Sequence, residues 1–178
     1  MDNFEQILKI PQERIAVLIG TKGESKKSIE EKTNTQLTIS KEGEVRIKGG
    51  SFETWITKQI IKAIGRGFSP KKALLLLNND YQFVLIELKD WAKTENSMKR
   101  LKGRVIGEKG KSKEIIERLT ESYISVYGKT ICIIGESKRV MIAKKAIEML
   151  LSGSKHSTVF SMIENKRKKW KKEELVGW

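Results

Sequence analysis

The sequence predicts an α+β fold made of two copies of one small module, and two observations carry that prediction. The segment Ile19-Gly20-Thr21-Lys22-Gly23-Glu24-Ser25-Lys26-Lys27 returns as Ile106-Gly107-Glu108-Lys109-Gly110-Lys111-Ser112-Lys113-Glu114, an offset of 87 residues. Around both segments the hydrophobic periodicity changes in one order: strand, helix, helix, strand, strand, helix. The correspondence runs past the loop, with Ile29 on Ile116, Glu30 on Glu117, Thr33 on Thr120, Leu37 on Ile124 and Ile39 on Val126. One residue is then lost. At an offset of 86, Val45 meets Ile131, Ile47 meets Ile133, Gly49 meets Gly135 and Ser51 meets Ser137. A period that long is a whole domain, not a solenoid unit.

The elements follow in order. Asn3 to Ile10 alternates imperfectly through Phe4, Gln6, Ile7 and Leu8 and reads as a strand. Pro11 suits the first turn of a helix. Ile15, Leu18 and Ile19 continue that helix at helical spacing, and Gly20 stops it. Gly23-Glu24-Ser25 opens a second helix that turns Ile29 inward and ends near Thr33. Leu37 and Ile39 form a strand, Glu42-Gly43 a turn, and Val45 and Ile47 the next strand. Ser51 is expected to cap a closing helix with Trp55, Ile56, Ile60, Ile61 and Ile64 on one face.

The second copy repeats this series. Phe83, Leu85 and Ile86 lie in its opening strand, and a helix ends at Ile106. Another helix carries Ile115, Ile116 and Leu119. Strands follow at Tyr123–Tyr127 and Thr130–Ile134. Ser137 is expected to cap a helix with Val140, Ala143, Ile147 and Leu150 inward. Between the copies, Ser69-Pro70 starts a short helix over Lys71 to Leu77, whose leucines should dock between the modules. The boundaries are a first module at 1–67, a helical linker at 68–81, a second module at 82–153 and a basic C-terminal helix or tail at 154–178. Modules of that size sit near the lower limit for independent folding, so the copies are expected to pack into one rigid body.

The chain's net charge of +14 points to a polyanionic partner. Residues 1–67 hold 12 Lys/Arg against 9 Asp/Glu, residues 82–153 hold 15 against 9, and residues 154–178 hold 7 against 3. The second copy and the tail therefore carry most of the field. Cys132 is the only cysteine and His156 the only histidine, so neither an internal disulfide nor a Cys/His metal cluster can form within one chain. No cofactor or metal is expected. No apolar run is longer than that of Ala73 to Leu77, which falls far short of a membrane span. With no signal-peptide core at the N-terminus, a cytoplasmic location is expected.

Strand–helix–GxxG–helix–strand–strand–helix, with Ile-Gly-x-x-Gly at the helix junction and present twice, resembles the KH domain in its eukaryotic-type (type I, βααββα) order. That resemblance implies a three-stranded antiparallel sheet packed on three helices in each copy, plus the C-terminal helix. Gly65-Arg66-Gly67-Phe68-Ser69-Pro70 and Gly103-Arg104-Val105-Ile106-Gly107 narrow the likeness to archaeal relatives of the eukaryotic small-subunit assembly factor family known as partner of Nob. Membership implies binding of single-stranded RNA near the 3′ end of small-subunit rRNA in ribosome assembly, rRNA processing or initiation. It also implies the alpha subunit of translation initiation factor two as a partner. Both GxxG loops are intact here, whereas eukaryotic members tend to have a degenerate first one.

The residues suit that chemistry. Single-stranded RNA must be held by its phosphates while its bases are splayed and read. Gly20, Gly23, Gly107 and Gly110 lack a Cβ and let a phosphodiester approach the backbone. Each loop sits at a helix N-terminus, where free amides favour an anion. Thr21-Lys22 and Glu108-Lys109 occupy the loops, and Lys26, Lys27, Lys111 and Lys113 the following turns. Ile19, Leu37 and Ile39, and in the second copy Ile106, Ile124 and Val126, form a shelf for bases. For Ile19 and Ile106, core and groove are equally good readings. Ile29, Ile47, Ile116 and Ile133 read as core. Arg100, Lys102 and Arg104 strengthen the field beside the second groove. Lys58, Lys62, Lys144 and Lys145 read as solvated faces, and Cys132 as structural. The lysines at 166–172 either contact phosphate or are solvated. Trp170 and Trp178 either pack or stack on bases. His156 has no evident partner.

An enzyme is the weaker reading. Gly110-Lys111-Ser112 imitates the end of a P-loop, but the required first glycine is Val105 and no strand precedes it. With one histidine, the usual general base is nearly absent. The alternative function is a protein-interaction adaptor that recruits the initiation-factor subunit or an rRNA-processing enzyme. Single-stranded DNA is a further candidate ligand for the same groove.

Overall fold

Apolar–polar alternation builds the first sheet. In the computed structural model, which describes residues 4–177, β1 (Phe4–Lys9) and β2 (Gln36–Ile39) flank β3 (Glu44–Gly49). Both pairings are antiparallel, and Gln6 and Leu37 each lie opposite Ile47. Leu37, Val45 and Ile47 are buried. The expected first strand residue, Asn3, lies outside the described residues. Three helices cover the sheet: α1 (Gln12–Ile19), α2 (Glu24–Thr33) and α3 (Ser51–Gly65). Leu18, Ile29, Ile60, Ile61 and Ile64 fill the space between them without exposure, each contributing about 1.5–3 kcal/mol relative to an exposed side chain.

A short helix, α4 (Pro70–Ala73), continues as a 3-10 turn over Leu74–Leu77 and packs on α3. Its cap is Ser69, whose side chain accepts from the Lys72 amide. Contacts divide the chain into two compact units, residues 1–83 and 84–178.

The second sheet has the order β4 (Tyr81–Glu87), β6 (Thr130–Glu136), β5 (Tyr123–Tyr127). The helices α5 (Glu95–Ile106), α6 (Lys111–Thr120) and α7 (Ser137–Leu151) repeat the first three. The residue lost between the copies falls in the hairpin turn, where Lys41–Gly43 in the first stand against Gly128-Lys129 in the second. A further helix, α8 (His156–Val176), packs on α6 and α7 and adds Val159 and Ile163 to the core. Among the described residues no helix is long and apolar enough to cross a membrane.

The closing helices differ from expectation at their starts. Ser51 and Ser137 are the first helical residues, with Gly50 and Glu136 at the caps and no side-chain cap bond. Trp55 is 54% exposed. The inner face of α3 instead includes Thr54 and Thr57, buried because their hydroxyls donate to the Ser51 and Glu53 carbonyls at 3.0 and 2.7 Å.

Candidate nucleic-acid interface

The two Gly-x-x-Gly corners have one backbone. Gly20 and Gly107 both have φ 74°, ψ 174°. Lys22 and Lys109 both have φ 52°, with ψ 26° and 29°. Gly23 and Gly110 have φ 76° and 75° and cap α2 and α6 without a side-chain bond. Each turn closes through the second glycine's amide donating to the first glycine's carbonyl at 3.2 Å.

The two glycines are required for different reasons. A Cβ on Gly20 would lie 2.3 Å from Ser25 Oγ, and one on Gly107 2.6 Å from Ser112 Cβ. At Gly23 and Gly110 nothing lies within 4 Å of such a Cβ. The first glycine permits tight packing, and the second leaves open space beside a helix N-terminus. A lysine held in the left-handed region costs about 1–2 kcal/mol, and both copies keep one there. Thr21, Lys22, Glu108 and Lys109 are exposed. Among the described residues, Lys22, Lys109 and Lys111 form no ion pair.

Other cations near the corners each face a glutamate one turn along the same helix. Lys26 pairs with Glu30 at 3.9 Å, Lys27 with Glu31 at 3.9 Å and Lys113 with Glu117 at 3.3 Å. Glu30 also accepts from the Leu37 amide at 2.7 Å, and Glu117 from the Ile124 amide at 2.8 Å. The repeated glutamates thus fasten the helix after each corner to the next strand. Sequence reasoning aligned them without seeing that role. Their spacing seven residues before Leu37 and Ile124 was the available signal.

Arg104, expected to strengthen the field beside the second groove, is half-buried and hydrogen-bonded within its own unit. Its guanidinium donates to the carbonyls of Leu150 at 3.0 Å and Ser154 at 2.5 Å. Arg14 in the first unit does the same for Ile64 and Phe68, both at 2.8 Å. The acceptors correspond at the repeat offset, but the arginines do not: Arg104 aligns with Val17, and Arg14 with Leu101. Two cations one helical turn apart on equivalent helices secure the same helix C-terminus. Burial lowers the pKa of Arg14 against the raising effect of Glu13, yet a guanidinium remains charged at physiological pH.

Lys102 donates to the Gly128 carbonyl at 3.1 Å, while Arg100 is exposed. His156, expected to have no partner, bonds the Arg104 carbonyl at 2.7 Å and so anchors the start of α8 beside the second corner.

The apolar shelf divides in two. Leu37 and Ile124, expected on it, are only 3% and 4% exposed and belong to the core. Ile19, Ile39, Ile106 and Val126 are half-buried and retain surface. Ile29, Ile47, Ile116 and Ile133 are fully buried, as is Cys132. Trp170 is half-buried beneath Arg139, whose guanidinium carbon lies 5.6 Å from the ring centroid. Trp178 lies outside the described residues. Val105, at the position a P-loop would need as glycine, is buried within α5.

Comparison with known proteins agrees with this architecture. The KH domain profile matches residues 5–63, and the eukaryotic-type (type I) KH domain profile matches residues 82–168. The KH domain-containing protein of Methanocaldococcus jannaschii is 44% identical over 99% of this chain and 80% of its own length. A chain in the crystal structure of the a/eIF2alpha–aDim2p–rRNA complex of Pyrococcus horikoshii is 43% identical with a TM-score of 0.87, covering 94% of this chain and 96% of that one. The pre-rRNA-processing protein PNO1 of Debaryomyces hansenii is 33% identical over 75% of this chain, which spans about half (49%) of that relative. The chain belongs to the archaeal Dim2/PNO1-like family of tandem KH-domain RNA-binding proteins.

Proposed function

We propose that this protein binds single-stranded RNA at the 3′ end of small-subunit rRNA, in ribosome assembly or initiation, and catalyses no reaction. The observation that carries the reading is the identical corner built twice. Each places an unpaired lysine and an open glycine at a helix start, beside half-buried apolar residues. The rRNA in the complex of the Pyrococcus relative supports the choice of ligand.

In this reading, phosphates dock at Gly20-Thr21-Lys22-Gly23 and Gly107-Glu108-Lys109-Gly110. Lys26, Lys27, Lys111 and Lys113 supply neutralising charge from the following turn. Ile19 and Ile39, and Ile106 and Val126, receive base faces. Arg104 contributes through its field and not by contact. Each module clamps about four nucleotides, with the second binding more strongly because of its charge. A cytoplasmic site of action fits a ribosomal ligand.

The test is affinity for a 3′-terminal small-subunit rRNA oligonucleotide across a salt series. Wild-type binding should fall steeply with salt, each phosphate contact adding about 0.7 to the log–log slope on a single strand. Changing Thr21, Lys22, Glu108 and Lys109 to Asp should abolish it. Aspartate tolerates the left-handed backbone at the two lysine positions, so the fold survives. Undiminished affinity in that variant would refute the reading. A matched DNA oligonucleotide distinguishes the two nucleic acids.

One observation favours a second, compatible reading. Phe52 and Trp55 are 63% and 54% exposed and stack at 6.3 Å between centroids on α3. Such a face suits protein docking, and the relative's complex includes the initiation-factor subunit. Changing both to Ser should then weaken binding of that subunit while leaving RNA affinity intact.

A further inference from the structure

The inward stripe of α8 begins with the buried Val159 and Ile163 and continues one and two turns later with the half-buried Arg167 and Trp170. Trp170 packs against Arg139, which is itself ion-paired to Glu121, Glu136 and Glu174. Arg167 has no such arrangement: its Nε is buried without a hydrogen-bond partner. It lines an open groove of about 450 Å³ together with Arg118 and Leu119 of α6 and Glu164, Lys168 and Lys171 of α8. Four cations therefore face one carboxylate. Among the described residues none of those four cations forms an ion pair, whereas Lys26, Lys27, Lys113, Lys144 and Arg139 each do. Like charges gathered in a half-enclosed groove repel one another and attract anions.

We propose that the α6–α8 groove binds the phosphodiester backbone of RNA outside the stretch held at the second corner. This rests on the RNA-binding reading above. α6 starts at Lys111, beside the corner, and reaches Arg118 seven residues later, about 10 Å at 1.5 Å per residue. One continuous polyanion can occupy both places. A phosphate strand fits this lining better than an acidic peptide, because Leu119 is the only apolar lining residue and peptide docking depends on buried apolar anchors. The first module offers no counterpart: Arg118 aligns with Glu31, which is paired to Lys27.

The test uses the full chain and the variant R118Q/K168Q/K171Q, whose three sites are exposed. Fluorescence anisotropy across a salt series is recorded with a single-stranded RNA of about four nucleotides, the length one module clamps, and with one of about twenty. On the long RNA the log–log salt slope should fall by about 2, three cations at about 0.7 each. Binding of the short RNA should not change. If the triple variant unfolds, R118Q alone should lower the slope by about 0.7. An unchanged slope on the long RNA overturns the proposal. So does a polyglutamate peptide that binds wild type and not the variant while the RNA slope stays fixed. Loss of short-RNA binding in the corner-to-Asp variant, together with an unchanged long-RNA slope in the groove variant, overturns the groove alone. Retention of all RNA binding in the corner variant refutes the reading on which it rests.

Discussion

Replacing Gly107 by alanine should act mainly on stability, and replacing Gly110 mainly on binding. Gly107 combines φ 74° with ψ 174°, a region open essentially to glycine alone, where other residues cost about 1–3 kcal/mol. A methyl there would also meet the Ser112 backbone nitrogen at 2.8 Å, adding about 1–3 kcal/mol of overpacking. Gly107→Ala should therefore cost about 3 kcal/mol or more. Gly110 at φ 75°, ψ 8° lies in the left-handed region with nothing within 4 Å, so alanine there should cost only about 1 kcal/mol. In a domain of this size 1 kcal/mol moves the melting temperature about 4–8 °C. Calorimetry should then show a drop of about 5 °C for Gly110→Ala and at least about 15 °C for Gly107→Ala. Anisotropy with a short RNA, measured where the protein is folded, should show Gly110→Ala weakened about tenfold or about 1.4 kcal/mol, because its methyl occupies the space assigned to phosphate. Equal destabilisation by both substitutions would refute the conformational argument. Full RNA affinity in Gly110→Ala would refute the assignment of that space.

Glu117→Ala leaves the Ile124 amide without its acceptor and should cost about 1–3 kcal/mol by urea denaturation, with Glu117→Gln recovering most of the loss. Arg104→Ala uncovers two carbonyls at the end of α7 and should destabilise the second unit by about 1–3 kcal/mol, while weakening RNA binding less than Lys109→Ala does. Arg104→Lys should rescue little, since an ammonium cannot reach both carbonyls as the planar fork does. Trp170→Ala removes the ring under Arg139, and limited trypsin digestion should then cut the lysine-rich half of α8 faster than in wild type.

The corners were legible because glycine at fixed spacing leaves few backbone choices, and the repeat supplied a second sample of each constraint. The core isoleucines followed from period alone. The inner face of α3 did not, because Thr54 and Thr57 bury themselves by bonding to their own helix, which a hydrophobic pattern cannot register. Helix starts at Ser51 and Ser137 fell one residue away, since Gly50 and Glu136 reach the cap geometry without a side-chain bond. Leu37 and Ile39 share a strand face, yet only Ile39, farther toward the hairpin, keeps surface. The second task of Arg104, bonding the carbonyls of Leu150 and Ser154, escaped the sequence for a different reason. Charge assigns a cation to the nearest groove, but the structural need it meets recurs at equivalent carbonyls and not at equivalent sequence positions, so the repeat could not expose it.

The most direct test of the account is the backbone amide NMR spectrum of the full chain, titrated with a 3′-terminal small-subunit rRNA oligonucleotide. The account predicts that the largest shifts fall on Gly20 to Gly23 and Gly107 to Gly110 and on the adjoining first turns of α2 and α6. Saturable binding that leaves both glycine corners unshifted would contradict it.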